Sequence, residues 1–290
     1  MLNESPARPG SNPEVSERTP APAAINTAAE PILRWAGSKR RLLPVLLRSI
    51  PTQIKTYYEP CAGSACLYLA LNPDDAVLAD VNSTLIDTYR TVKSRPDAVH
   101  DALRQMPNSK RFYYALRKLD PNGLCALERA ARFVHLNRHC FNGVYRENRA
   151  GVFNVPKGTK TPALQHIDVF RTFATRLRKA ELRSGDFEAT VRDARKGDFV
   201  YLDPPYAKKP LRNRGEYGSG AFCHDDLHRL IACVGKLDRK GVHVLLSFYN
   251  SRPLGEALRG WTRTHIRVQR SVAGFSDSRR EAREVLFRNY

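Results

Sequence analysis

Three acids, Asp80, Asp186 and Asp203, each stand at the end of a predicted strand, and the third carries the richest chemistry. Asp203 opens Asp203-Pro204-Pro205-Tyr206 directly after Phe199-Val200-Tyr201-Leu202. The apolar run reads as a buried strand of a parallel sheet. Paired prolines end it and fix the backbone that leaves it. Open α/β sheets place their ligands at such carboxyl ends. The loop offers an acid, a Pro204 carbonyl that no N–H follows, and the aromatic face of Tyr206. A carboxylate and a carbonyl can each accept one hydrogen of a planar exocyclic amine while a ring stacks behind it. Asp-Pro pairs are also common in turns, so the same residues read as a strand end with a surface acid.

Two glycine turns lie upstream. Trp35-Ala36-Gly37-Ser38-Lys39-Arg40 opens a helix through Leu42, Leu43, Leu46 and Leu47. A lysine at a helix N-terminus suits an anion, and a plain helix start fits equally. Tyr57-Tyr58-Glu59-Pro60-Cys61-Ala62-Gly63-Ser64-Ala65 runs from a short strand into a turn of small residues. Asp80 follows that turn by about twenty residues, the spacing at which an acid reaches ribose hydroxyls in nucleotide-binding βαβ units. The turn is not GxGxxG, so this signal is generic.

The elements that must position these groups alternate between strand and helix. Strands are expected at Ala76–Asp80, Glu181–Phe187, Asp198–Leu202 and Val242–Phe248, and a closing pair at Ile266–Arg270 and Val285–Tyr290. From about Leu85 to Lys179 helical patterns dominate instead: Thr84–Lys93, Pro96–Gln105, Phe112–Leu119 and Ala126–Arg138. After them comes a loop dense in Asn, Arg and aromatics: Asn137, Arg138, Phe141, Asn142, Tyr145, Arg146, Asn148 and Arg149. Asn142-Gly143 and Gly151 suggest a hairpin. Arg and Asn read base edges and aromatics wedge between them; a solvated basic loop is the alternative. Arg270, Arg279, Arg280 and Arg283 read as phosphate contacts or as a solvated face.

The 290 residues carry a net charge of +19, which points to a polyanionic partner. Residues 1–29, rich in Pro, Ala, Ser and Asn, read as a disordered tail; its acids balance its arginines, so the charge belongs to the folded part. The six cysteines form no CxxC pair and no zinc spacing, so reduced thiols and no metal are expected. No stretch has the length and apolarity of a membrane span or a signal peptide.

With the acids in this order, the chain resembles the Dam-family DNA adenine-N6 methyltransferases from about Ile32 to the C-terminus. The carrying segments are Arg34-Trp35-Ala36-Gly37-Ser38-Lys39, Glu59-Pro60-Cys61-Ala62-Gly63, Ala79-Asp80-Val81-Asn82, Leu136-Asn137-Arg138 with Phe141-Asn142-Gly143, Gly151-Val152-Phe153-Asn154-Val155-Pro156, and Asp203-Pro204-Pro205-Tyr206. The resemblance implies an α/β fold: a Rossmann-like methyltransferase sheet (30–88 and 180–290) with an inserted, mostly helical target-recognition domain (89–179). It implies S-adenosylmethionine (S-adenosyl-L-methionine) as cofactor, held by Trp35, Gly37, Lys39, Glu59, Cys61, Gly63, Asp80, Asn82, Asp186, Phe187 and Asp203. Asp203, Pro204 and Tyr206 are the implied catalytic group. Arg34, Asn137, Arg138, Phe141, Asn142, Tyr145, Arg146 and Asn148 are the implied contacts to double-stranded DNA. Arg146 matches a guanine-reading arginine, which suggests a GATC-like site, and Phe141 an aromatic that fills the gap left by an extruded base. A monomer acting on DNA in the cytoplasm is expected. The family turn reads Glu-Pro-Phe-x-Gly-x-Gly; here Cys61 replaces the Phe, Ala65 the last Gly, and Ser38 a common Gly. A Cβ at Ala65 is expected to crowd the cofactor or to need another turn conformation.

Rival readings are a cytosine-N4, RNA or protein-glutamine methyltransferase, a DNA-binding protein with a decayed cofactor site, and a basic RNA-binding structural protein. Asp rather than Asn at 203 disfavours glutamine chemistry, and Pro60-Cys61 lies inside the cofactor turn, which disfavours a cytosine-C5 nucleophile.

Overall fold

A computed structural model describes residues 29–148, 150–205, 222, 224–269 and 281–290. The expected tail, apart from Ala29, lies outside these residues, as do Arg149, Tyr206, the basic loop from Ala207 to Cys223 apart from Phe222, and Arg270, Arg279 and Arg280.

Seven strands form one sheet: β1 (Tyr57–Glu59), β2 (Ala76–Asp80), β3 (Ala180–Ser184), β4 (Phe199–Leu202), β5 (His243–Tyr249), β6 (Thr262–Gln269) and β7 (Glu281–Arg288). Their order is β3-β2-β1-β4-β5-β7-β6, parallel from β3 to β5, with β7 antiparallel to both neighbours. β1 and β4 are buried throughout, as near-continuous apolar runs require of inner parallel strands. The chain leaves β1 for β2 and β3, then returns to β1's other side as β4. Connections therefore diverge between β1 and β4, and the crevice this opens lies at their carboxyl ends. Glu59 ends one strand and Asp203 follows the other.

The helices are α1 (Leu43–Arg48), α2 (Cys66–Leu71), α3 (Ser83–Ser94), α4 (Pro96–Arg104), α5 (Lys110–Lys118), α6 (Ala126–His139), α7 (Ile167–Leu177), α8 (Phe187–Val191), α9 (His224–Arg239) and α10 (Arg252–Ala257). The first predicted helix starts as a 3-10 turn over Lys39–Leu42 and becomes α-helical at Leu43. Pro44 sits in the first α-turn, the position where a missing N–H costs nothing. The third predicted strand is shorter than expected. It ends at Ser184; Asp186 caps α8 by accepting the Glu188 N–H at 3.0 Å, so Phe187 begins a helix. α10 had no counterpart in the sequence reading.

One apolar cluster runs from a sheet face, through Tyr57, Leu78 and Tyr201, into the insert at Tyr113, Phe133, Phe170 and Phe173. The other face packs Leu202, Leu246 and Phe248 against Leu227, Leu230 and Val234 of α9.

Ala65 answers the question raised by its Cβ. It is fully buried and adopts the left-handed conformation (φ 53°, ψ 31°) that a glycine would take before α2. This conformation carries strain, about 1–2 kcal/mol for an L-residue. Glycine would give back part of that as unfolded-chain entropy. Ala65→Gly is therefore expected to stabilise the fold by about 0.5–1 kcal/mol, a Tm gain of about 1–4 °C in thermal unfolding.

Candidate active site

The two glycine turns, the ends of β1 and β2 and the Asp203 loop wall one cavity of about 790 Å³, within the range of small-ligand sites. Of the residues expected to hold a cofactor, Trp35, Gly37, Lys39, Glu59, Cys61, Gly63, Asp80 and Asp203 line it, with Pro204 beside them. Asn82, Asp186 and Phe187 do not stand on its wall.

Backbone geometry explains the cradle. Gly37 (φ 83°) turns the chain, and Ser38 donates its N–H to the Trp35 carbonyl at 3.0 Å. Gly63 (φ 48°) faces the indole, and a Cβ there would meet Trp35 Cδ1 at 2.7 Å. The Ser64 hydroxyl donates to Ser38 Oγ at 2.9 Å, so the serine that replaces a common glycine ties the two turns together. Asp80 accepts the Gly63 N–H through one oxygen and the Asn82 N–H through the other, both at 3.0 Å. Each oxygen keeps a lone pair for a further donor.

The cavity is acidic. Burial pushes Glu59 up to about 8, although Tyr57 O–H and the Tyr68 N–H donate to Oε2. Burial also raises Asp80 against its two backbone hydrogen bonds. Asp203 is pushed up to about 6 by burial; the Lys39 ammonium, 2.7 Å from Oδ1, holds it down, and the Glu284 charge raises it. The anion that Lys39 meets is thus a carboxylate of the protein itself. Burial lifts Cys61 well above the usual thiol range, which leaves it protonated.

A family model of the D12 class N6 adenine-specific DNA methyltransferases matches residues 35–272. The chain belongs to this family. It is 37% identical over 273 residues to the type II methyltransferase M1.LlaDCHI of Lactococcus lactis subsp. cremoris, covering 90% of this chain and 95% of that protein. It is 31% identical over 288 residues to the type II methyltransferase M.MjaIII of Methanocaldococcus jannaschii, covering 90% and 99%. It is 29% identical over 265 residues to a DNA adenine methylase of Haemophilus influenzae, covering 88% and 92%.

In this adenine-N6 methyltransferase, three of the expected DNA contacts are buried and bonded to the protein itself. Asn137 is buried; its Oδ1 accepts the Arg34 N–H at 2.8 Å and its Nδ2 donates to the Arg34 carbonyl at 2.7 Å. Arg138 is buried and donates to the carbonyls of Ile32 (3.1 Å) and Ala163 (2.7 Å) and to Gln165 Oε1 (2.7 Å). Together they fasten the segment that carries Trp35 and Lys39 onto α6. Tyr145 is buried, stacked on Trp35 at 5.9 Å, with its hydroxyl donating to Glu147. The Asn137 amide is engaged at both ends by the protein itself, whereas Arg138 keeps its buried Nε without a hydrogen-bond partner among the described residues.

The remaining expected contacts cluster differently. Arg34 donates to the Arg138 carbonyl at 3.1 Å and, like Asn142, lies on the cavity wall. Phe141 is exposed, beside Asn142 in a left-handed turn (φ 54°). A hairpin follows, bridged at Glu147 and Phe153, and Asn148 shapes its tip by accepting the Ala150 and Val152 N–H groups at 3.0 Å. Arg146 donates Nε–H to Asn154 Oδ1 at 2.7 Å, which leaves its terminal amino groups without a hydrogen-bond partner among the described residues.

Asp186 and Phe187 of the methyltransferase are engaged by Arg229. The guanidinium lies 2.6 Å from Asp186 Oδ1 and over the Phe187 ring at 5.1 Å. No role was expected of Arg229 or Glu284, and Asn154 was expected only as part of the segment from Gly151 to Pro156. Glu284 had a signal: the period of two in β7 puts it on the same face as Leu286, an acid where the core begins.

Activity of a methyltransferase that uses Asp203 as an acceptor requires its carboxylate. We expect kcat/KM to fall as pH drops through about 6. Lys39→Met removes the cation that favours ionisation, so the acid limb should move upward. Paired pH profiles of the two proteins check this.

Proposed function

We propose that the protein transfers a methyl group from S-adenosylmethionine to adenine N6 in double-stranded DNA, on a base swung out of the helix. The observation that carries this reading is that Asp203 and Pro204 line the cavity shared by the Gly63 turn and Asp80.

The residues fit the cofactor. The cavity is large enough, and three recessed carboxyl groups suit a cationic ligand; a cation entering beside Glu59 would draw off its proton. Asp80 would take the ribose hydroxyls with its remaining lone pairs, and Trp35 with Gly63 would bound the adjacent wall. S-adenosylmethionine, when bound, supplies an electrophilic methyl group on a sulfonium. The chain does the rest by positioning. Adenine N6 is a weak nucleophile because its lone pair is conjugated with the ring. Asp203 and the Pro204 carbonyl would each accept one N6 hydrogen and draw the nitrogen toward tetrahedral geometry. Fixed acceptors favour the positive charge that develops there, and alignment removes much of the entropic barrier. Flipping costs a few kcal/mol; stacking on Tyr206 would offset about 1–3 kcal/mol.

On the DNA side, Phe141 would fill the gap and Arg146 would read a guanine of a GATC-like site, its Nε–H held by Asn154. Arg146→Ala is then expected to lose about 1–3 kcal/mol of discrimination at one base pair, read as relative kcat/KM across single-base variants of the preferred site. The protein would act as a monomer, in the compartment that holds the DNA.

Incubation with double-stranded DNA and labelled S-adenosylmethionine, followed by nucleoside analysis, tests the whole reading. N6-methyladenine supports it. N4-methylcytosine moves the chemistry to the other exocyclic amine, and absence of both with intact DNA binding makes the chain a non-catalytic binder.

A further inference from the structure

One buried acid has no part in the chemistry above. Glu284 of β7 pairs with Tyr249 of β5 and is buried on the cavity wall, on the sheet face of Ser247 and Leu286. Its Oε2 has no hydrogen-bond partner among the described residues. A carboxylate so placed is costly unless a cation serves it. Among the described residues the cation in range is Lys39, whose Nζ stands 3.8 Å from Glu284 Oε2 and 2.7 Å from Asp203 Oδ1. The longer distance is an ion pair without a hydrogen bond. Lys39 thus sits between two carboxylates and bonds to only one of them.

The bonded one is the acid that must release an oxygen. While Lys39 donates to Asp203 Oδ1, that oxygen is a poorer acceptor for an incoming amine, and part of the negative charge needed opposite a methylated N6 is neutralised. We propose that Glu284 is a positioning residue, the second seat of the Lys39 ammonium. As the substrate amine enters, Lys39 shifts from Asp203 to Glu284, and the orphan oxygen gains the hydrogen bond that Asp203 gives up. The count of donors and acceptors is conserved, no charge leaves the site, and no proton moves. A single-carboxylate site would have to strand the ammonium in a buried place to free Asp203. The inference deepens the adenine-N6 reading and rests on it.

The test is a double-mutant cycle on kcat for DNA methylation, with Glu284→Gln, Lys39→Met and the pair. Glu284→Gln keeps the shape, removes the second seat and should lower kcat about tenfold or more, with KM for DNA and donor affinity unchanged. In the Lys39→Met background, where there is no ammonium to move, the same change should cost little. Equal losses in both backgrounds, or wild-type kcat in Glu284→Gln, would overturn the proposal.

The pH profile gives a second readout. Asp203 is faced by Lys39, by Glu284 of β7, by Ser247 of β5, by Glu59 of β1 and by Cys61 and Cys66 of the cofactor turn. Removing the Glu284 charge while Lys39 stays should shift the acid limb of kcat/KM downward; a purely structural loss would leave it in place. If Glu284→Gln does not fold, Glu284→Asp keeps the charge one methylene farther away and should give an intermediate kcat; wild-type kcat there, with the limb unmoved, counts against the second seat. A wild-type enzyme that leaves N6 unmodified sinks the underlying reading instead, which separates the two failures.

Discussion

Asp203→Ala is expected to abolish methyl transfer, lowering kcat by about a thousandfold or more, while DNA binding persists. The expectation follows from the position of the group. It stands beyond the central strand β4, on the wall of the cavity, with Pro204 next to it. No other described acid is placed to share that amine: Glu59 lies one strand away with Oε2 held by Tyr57 and Tyr68, and Glu284 is set behind Lys39. The fold should tolerate the change. Burial raises Asp203 to about 6, above the ordinary carboxylate value. Its ionised form therefore costs stability at pH values above that point, and the cost vanishes as pH falls and the group protonates. At alkaline pH, Asp203→Ala should hold or raise Tm, with Lys39 still near Glu284. Turnover close to wild type, or loss of DNA binding together with turnover, would remove Asp203 from its role.

Asn137→Ala should have the second largest effect, and on stability. Its amide closes both backbone groups of Arg34. Truncation leaves an N–H and a carbonyl unpaired in a partly buried site, at a cost of about 2–3 kcal/mol. Thermal unfolding should show a Tm lower by about 5–10 °C. Sequence discrimination of the enzyme that remains folded should be unchanged, because the residue touches the segment carrying Trp35 rather than DNA. A relaxed site preference with normal Tm would restore Asn137 to the DNA face.

Much of this was legible in the sequence. Strands that are apolar on both faces and bounded by Gly, Pro or acid residues announced themselves, and β2, β4 and β5 fall within a residue or so of expectation. The insert helices showed through their periodicity, and the structure adds their caps: Asn82 accepts the Leu85 N–H and Ser109 the Phe112 N–H, as residues of those types do. What was not legible is which polar side chains bond to the protein itself. Asn137 and Arg138 have the chemistry of base readers, and a linear pattern does not show that α6 is buried on all sides over its second half. The anion beside Lys39 was hidden for a related reason. A lysine after a glycine turn signals an anion, but the anion came from a strand that lies far along the chain. At Ala65 the residue type left open a crowded cofactor or a changed turn, and the backbone holds the glycine-like conformation.

The continuity of the interior has one further consequence. Because Tyr113, Phe133 and Phe170 of the insert belong to the same apolar body as Tyr57 and Tyr201 of the sheet, the insert is not an exchangeable module; lifting it out would lay open the interior of the whole protein. The hairpin tip is different. Asn148 and Val152 project into solvent, outside that body. Changes at a handful of tip positions are therefore nearly free of folding cost, while the helices beneath stay fixed by what they shield.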